Sequence, residues 1–216
     1  MYDTVVFDND GVLVDPPSPH AKAAAVREAF RDHGVDSVDA GHVEEVCTGI
    51  GADRLREVCA SYGVDADAFW ESRERHDERA QLDDFHAGER TRYPDVDALH
   101  DLPARRGVAS NNHHSTVEFV LDYFDLADAM ETYYGREDTV ESLELKKPNP
   151  HLLERALADL DAESALYVGD KETDVIAAER AGVDAAFIRR DHNADVSLSV
   201  EPTHEIRSLH DLEKYV

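Results

Sequence analysis

Along the chain, four short runs of mostly apolar residues stand out from a polar background, at 4–7, 107–110, 166–169 and 185–188. Each is too short for a helix and lacks a polar face, so each predicts a buried strand. Between them the apolar positions change to helical spacing, over 96–102, 115–124, 150–160 and 174–181. Strands alternating with helices predict an α/β fold, a Rossmann-like parallel sheet core with helices on both faces. The ligand site of such a sheet lies at the carboxyl ends of its strands.

Residues 16–88 interrupt the alternation. Helical patterns run over 20–33, 53–62 and 66–85, separated by Gly34, the Thr48-Gly49-Ile50-Gly51 loop and Gly63, with no strand pattern among them. The expected organisation is an α/β core made of 1–15 and 89–216, with 16–88 inserted after the first strand as an α-helical cap over the strand ends.

Composition narrows the setting. Hydrophobic residues make up 42% of 216, enough for a core. The formal net charge is −26, from 48 acidic against 22 basic residues, with a pI near 4.6. Such self-repulsion is screened in concentrated salt, where the Debye length falls to about 3 Å at 1 M. The only lysines are Lys22, Lys146, Lys147, Lys171 and Lys214. An acidic, lysine-poor surface resembles that of halophilic archaeal proteins. It offers no basic face for nucleic acid. Cys47 and Cys59 are too few for a disulfide framework. No apolar run approaches the roughly 20 residues of a membrane span, and no signal core opens the chain. A cytoplasmic location without membrane partners is expected.

The candidate chemistry begins in "VVFDNDGVLVD", where Asp8, Asp10 and Asp15 crowd the end of the first apolar run. In so acidic a chain paired aspartates are common, and Asp36 with Asp39 or Asp65 with Asp67 read as solvated surface. Asp8 and Asp10 differ because they follow a buried strand, where desolvating two carboxylates is costly unless a cation compensates. A hard divalent cation such as Mg²⁺, which takes oxygen ligands, meets that need.

This stretch resembles the first motif of the haloacid dehalogenase-like superfamily, a hydrophobic strand followed by D-x-D-G-[TV]-L-x-D. Three further motifs follow in order: Ser110-Asn111 in "GVASNN", Lys147-Pro148 in "KKPNP", and Asp170 with Asp174 in "VGDKETD". The resemblance implies a role for each residue. Asp8 is the nucleophile that forms an aspartyl-phosphate, and Asp10 protonates the leaving oxygen and then activates water. Ser110 and the Asn111 backbone N–H bind the phosphoryl group. Lys147 neutralises charge between phosphoryl group and nucleophile. Asp8, Asp10 (through its carbonyl), Asp170 and Asp174 hold Mg²⁺. Asp174 has a second reading, as an acceptor at the start of its helix, and Asp15 reads as a turn acceptor. Lys146 stands where the family more often has Gly.

Superfamily dehalogenases need no metal and usually carry Tyr in place of Asp10, so the resemblance points to phosphoryl transfer. The expected activity is that of a Mg²⁺-dependent phosphatase acting on a small phosphorylated metabolite, in the phosphoglycolate phosphatase branch. Two alternatives stand: a β-phosphoglucomutase-like phosphotransferase and a binding protein with a vestigial site. In the cap, His20 lies near the acid/base histidine of sugar-phosphate members, or is an ordinary helix-start residue. Pro16 and Pro17 depart from the small polar residues usual after the first motif. The loop at Gly49 resembles a substrate-recognition loop, or is a plain helix connection. Arg54 and Arg73 read as solvated helix residues with anion contact as the alternative, and His113 and His114 as rim residues.

Overall fold

The run TVVF forms β1 (Thr4–Phe7) at the middle of a six-stranded parallel sheet, in a computed structural model that describes all 216 residues. The other strands are β2 (Arg105–His113), β3 (Thr132–Arg136), β4 (Ala165–Gly169), β5 (Asp184–Ile188) and β6 (His204–Ile206), in the spatial order β3-β2-β1-β4-β5-β6. The order reverses between β1 and β4, and at such a switch point a crevice opens outside the carboxyl ends.

Side-chain alternation divides the core of the sheet in two. Val5 and Phe7 of β1, Val108 of β2, Leu166 and Val168 of β4 and Ile188 of β5 face one layer with Val117 and Leu121 of α5 (His114–Tyr123). Val6, Ala109, Tyr167 and Phe187 face the other, against Leu153 and Ala156 of α6 (His151–Asp159) and Ala178 of α7 (Glu172–Ala181). With both faces covered, the inner strands have no polar side, which is why they read as continuous apolar runs.

The edges differ. β3 is half-buried and carries Gly135, and β6 is three residues long with only Ile206 buried. Neither has the apolar density that marks an inner strand. The pattern over 96–102 is a 3₁₀ helix, Pro94–Asp101, instead of an α-helix; proline at its start and three aspartates in eight residues leave it little helical propensity.

The chain divides into two compact units. One comprises Met1–Pro16, Thr91–Arg136 and Leu145–Val216 and contains the sheet; the other comprises Pro17–Arg90 and Glu137–Glu144. Where the first unit hands the chain to the helices and takes it back, its two connections run antiparallel. Val14 bridges Arg92, the Asp15 N–H donates to the Thr91 carbonyl at 2.9 Å, and the Thr91 N–H and hydroxyl both donate to Asp15 Oδ2 at 2.9 Å. Asp15 thus fixes a turn.

The helical unit holds α1 (Pro19–Asp32), α2 (Ala40–Thr48), α3 (Ala52–Ser61) and α4 (Ala66–Ala87). Its core centres on Phe30, 4.3 Å from the Phe69 ring and 5.1 Å from Tyr62, and includes Val140 and Leu143 of the later segment. Asp39 and Asp65 are exposed N-caps, accepting from the N–H groups of Gly41 and Ala68. α2 has no counterpart in the sequence reading, since Gly41 in its first turn and only two buried residues leave a faint pattern.

Candidate active site

The ladder carries one step past β1, the Asp8 N–H donating to the Val168 carbonyl at 2.9 Å, and the backbone then folds into a turn around the Asn9 carbonyl. Gly11 sits in that turn at φ +86°, and a Cβ there would lie 2.2 Å from Asp170 Oδ2. Glycine is required twice over, by conformation and by contact. The turn brings Asp8 and Asp10, both buried, beneath the end of β4. Asp8 Oδ1 accepts from the Asn9 N–H at 2.8 Å, while Asp10 accepts from Asn112 Nδ2 at 2.8 Å and Asn9 Nδ2 at 3.2 Å.

Ser110 and Asn112 lie where the β2–β3 register shifts between Ala109 and His113, an irregularity that re-aims side chains. Ser110 is buried and its hydroxyl accepts from the Asn112 N–H at 3.3 Å. The Asn111 side chain pairs with the Lys147 backbone in both directions, accepting from its N–H at 2.8 Å and donating to its carbonyl at 3.3 Å. The third motif is thereby tied to the end of β2.

Lys147 enters this cluster with its side chain 2% exposed, its Nζ 3.0 Å from Asp8 Oδ1 and 2.8 Å from Asp174 Oδ1. Burial works against its charge, but Asp174 and Asp8 outweigh burial and hold the ammonium's pKa above its ordinary value. Asp8 is pushed up to about 6, chiefly by burial, with Lys147 opposing and Asp174 adding to the rise. Asp170 goes the other way: burial raises it, but a hydrogen bond from His192 Nε2 to Oδ2 at 2.7 Å, with the nearby Lys171 and Lys147 charges, carries it below the usual carboxylate range.

Asp174 does two things at once. Its Oδ2 accepts from the backbone N–H groups of Asp170 and Lys171, at 3.1 and 2.9 Å, satisfying donors at the start of α7, while Oδ1 faces Lys147. The Oδ2 contacts match the reading of this residue as an acceptor at the start of its helix. Gly169 permits the arrangement, because a Cβ there would meet Asp174 Cβ at 2.2 Å.

The set fits a hard divalent cation. Asp8, Asp170 and Asp174 present carboxylate oxygens within 4.8 Å of one another, and the buried Asp170 Oδ1 accepts no hydrogen bond, with the Lys171 ammonium 3.3 Å away. Three carboxylates buried this close together are costly without further positive charge, and oxygen-only ligands suit Mg²⁺. The side chain of Asp10 is turned to Asn112 and Asn9.

The four motifs therefore meet in one place, all within the α/β unit. His20 and Gly49 belong to the helical unit: His20 is exposed in the first turn of α1, and Gly49 ends α2 at φ +126°. Arg54 is exposed and paired with Glu45 and Glu57. Arg73, in contrast, is buried against Glu74 and Asp77 rather than solvated. His113 is also buried, closing β2, whereas His114 is exposed and stacks on Tyr133. Asn9, Asn112, Tyr167 and His192 went unread in the sequence. Asn9 was visible between the two aspartates; the others reach the cluster only through the fold.

Comparison with known proteins shows the family. Residues 2–182 match the family model described as "Hydrolase: haloacid dehalogenase-like hydrolase". A phosphoglycolate phosphatase from Cereibacter sphaeroides is 28% identical over 214 residues, covering 96% of this chain and 94% of that one. A 5'-nucleotidase from Pseudomonas aeruginosa is 26% identical over 216 residues, covering 96% and 92%. Among solved structures, a mutant of CbbY from Rhodobacter sphaeroides in complex with xylulose-(1,5)bisphosphate has a TM-score of 0.73 at 20% identity, covering 98% of this chain and 96% of that one. The last shows likeness of fold; the family match spans most of the sequence, and on it the chain belongs to the haloacid dehalogenase-like hydrolases, as a phosphatase resembling the phosphoglycolate phosphatases.

Proposed function

We propose that this protein is a Mg²⁺-dependent phosphatase that hydrolyses a small phosphate monoester through an aspartyl-phosphate on Asp8, with phosphoglycolate as the first candidate substrate. The observation that carries the reading is the Lys147 ammonium, buried 3.0 Å from Asp8 and 2.8 Å from Asp174 beside the oxygens of Asp170. Two unit charges 4 Å apart interact by about 4 kcal/mol at an effective dielectric of 20, so an unscreened carboxylate is a poor nucleophile toward a phosphate dianion. A cation fixed against Asp8 removes that barrier.

In the first step a carboxylate oxygen of Asp8 bonds to phosphorus, the ester P–O bond breaks, and Asp10 gives its proton to the leaving oxygen. In the second, the Asp10 carboxylate takes a proton from water, whose oxygen attacks phosphorus and returns Asp8 to its carboxylate as phosphate departs. Asn112 and Asn9 aim the Asp10 carboxyl group, and Ser110 donates its hydroxyl to a phosphoryl oxygen. A Mg²⁺ ion held by Asp8, Asp170, Asp174 and the Asp10 carbonyl would supply positive charge to the phosphoryl oxygens. The helical unit is assigned the role of a cap that selects the ester and excludes water, with exposed His20 and the open turn at Gly49 as candidate substrate contacts.

The test is phosphate release with Mg²⁺ across phosphoglycolate, hexose phosphates, nucleoside monophosphates and xylulose 1,5-bisphosphate, in multimolar KCl because of the net charge of −26. Release that EDTA abolishes is expected. Isomerisation of β-glucose 1-phosphate without release would make the protein a mutase, and silence of the folded protein on every ester would make the site vestigial.

A further inference from the structure

An ammonium has three N–H groups, and the carboxylates of Asp8 and Asp174 account for two of those on Lys147. The third points to a neutral oxygen, the Tyr167 hydroxyl, at 2.7 Å. A phenol has one proton to give, and Tyr167 gives it to the Ala109 carbonyl at 2.7 Å. Toward Lys147 it therefore presents a lone pair. Three partners at 2.7–3.0 Å fix the ammonium like a tripod, with Ala109 O a further 3.3 Å neighbour.

Packing alone asks for none of this. Tyr167 is 1% exposed, on an inner strand among Val6, Leu153 and Phe187, where phenylalanine would fill nearly the same volume without a hydroxyl to desolvate. Burial and the charges of Asp174 and Asp8 hold its phenol well above its ordinary pKa, so it stays a neutral acceptor.

We propose that Tyr167 is a positioning residue for the phosphatase reaction, the uncharged third leg that keeps the Lys147 ammonium in place between Asp8 and Asp174. Its value lies in what happens to the other legs. Once Asp8 carries the phosphoryl group it is no longer a free carboxylate, and the ammonium must turn to the phosphoryl oxygens while Asp174 pulls it back. Tyr167, tied to Ala109 immediately before Ser110, does not change charge or place in either step. The inference rests on the phosphatase reading above.

The experiment compares wild type, Tyr167→Phe and Leu153→Ala, the last a truncation in the same layer that leaves Lys147 untouched. Tyr167 is walled off from substrate, so Tyr167→Phe should lower kcat by about 10- to 100-fold, the size expected for losing a hydrogen bond to a charged group, with KM within about twofold. Leu153→Ala should lower Tm and leave kcat of the folded protein unchanged. Should Tyr167→Phe lose Tm but keep wild-type kcat, its role is structural and the inference fails, while the phosphatase reading stands. Wild type inactive on every ester would bring down the reading and the inference with it. If Tyr167→Phe does not fold, nitrogen-15 labelling of the five lysines decides on the wild type. A slowly exchanging ammonium, absent in Lys147→Met, should show a cross-peak to the Tyr167 ring protons, and its absence overturns the proposal.

Discussion

In the helical unit, Arg73 lies 2.7 Å from Glu74 and 3.4 Å from Asp77, Gln81 bonds to Asp77 at 2.9 Å, and Arg90 bonds to Gln81 at 2.9 Å. In the α/β unit, Lys147 meets Asp8 and Asp174 with Asp170 and Asp10 close by. The first network sets one guanidinium against two carboxylates, links Arg90 to them through Gln81, and covers its planar cations with rings, Arg73 on Trp70 and Arg90 on Phe85. The second sets four buried aspartates around one buried ammonium, with a half-exposed Lys171 and the His192 ring beside Asp170. In the first network each of the two buried carboxylates has the Arg73 guanidinium within 3.4 Å. In the second, buried carboxylates outnumber the buried cations, an excess that burial makes costly and that the proposed metal ion and phosphoryl chemistry would use.

The sharpest way to break the contrast is to remove one charge from each network. Asp8→Asn should cut turnover by roughly 10⁴ or more, as loss of a nucleophile does, while the metal-free protein keeps its Tm because one repelling carboxylate has gone. Phosphate release and thermal unfolding in EDTA check both halves; appreciable activity would remove Asp8 from its role. Arg73→Met should do the reverse. Stranding Glu74 and Asp77 should cost about 3–5 kcal/mol of stability, read by urea unfolding, with kcat of the folded fraction nearly unchanged. A large fall in kcat with intact stability would move Arg73 into the chemistry.

A smaller effect follows from pH. Asp8 is pushed from 3.8 up to about 6 in the folded protein. Between these values the folded chain holds a proton that the unfolded chain has released, so metal-free stability falls as pH rises through this window and levels off above it. Measured by urea unfolding in EDTA, wild type should show this decline relative to Asp8→Asn. Parallel profiles would mean that burial does not govern Asp8.

How much of this could be read in advance follows the same division. Asp8, Ser110, Lys147 and Asp170 stood out because each ends an apolar run or precedes a proline, and a strand buried on both faces is conspicuous in sequence. β3 and β6 were hidden because edge strands need no such run. Arg73 was misread because α4 turns Arg73, Glu74, Asp77 and Gln81 inward, and polar residues at helical spacing resemble a solvated face until their partners are seen. Tyr167 hid in the opposite way, inside an apolar run where an aromatic ring reads as packing. His192 and Asn193 lie past β5, and only the fold brings them to Asp170, through a 2.7 Å bond to its carboxylate and a 2.9 Å bond to its carbonyl.

The short antiparallel pairing in which Asp15 holds Thr91 bears on tolerance to change as well as on architecture. It makes the excursion into the helices begin and end at neighbouring points, a hydrogen bond apart. Each doubling of such an excursion adds only about 0.6 kcal/mol of closure entropy. Helices can therefore be lengthened, shortened or exchanged at that doorway with little disturbance to the pairing of β1 with β2.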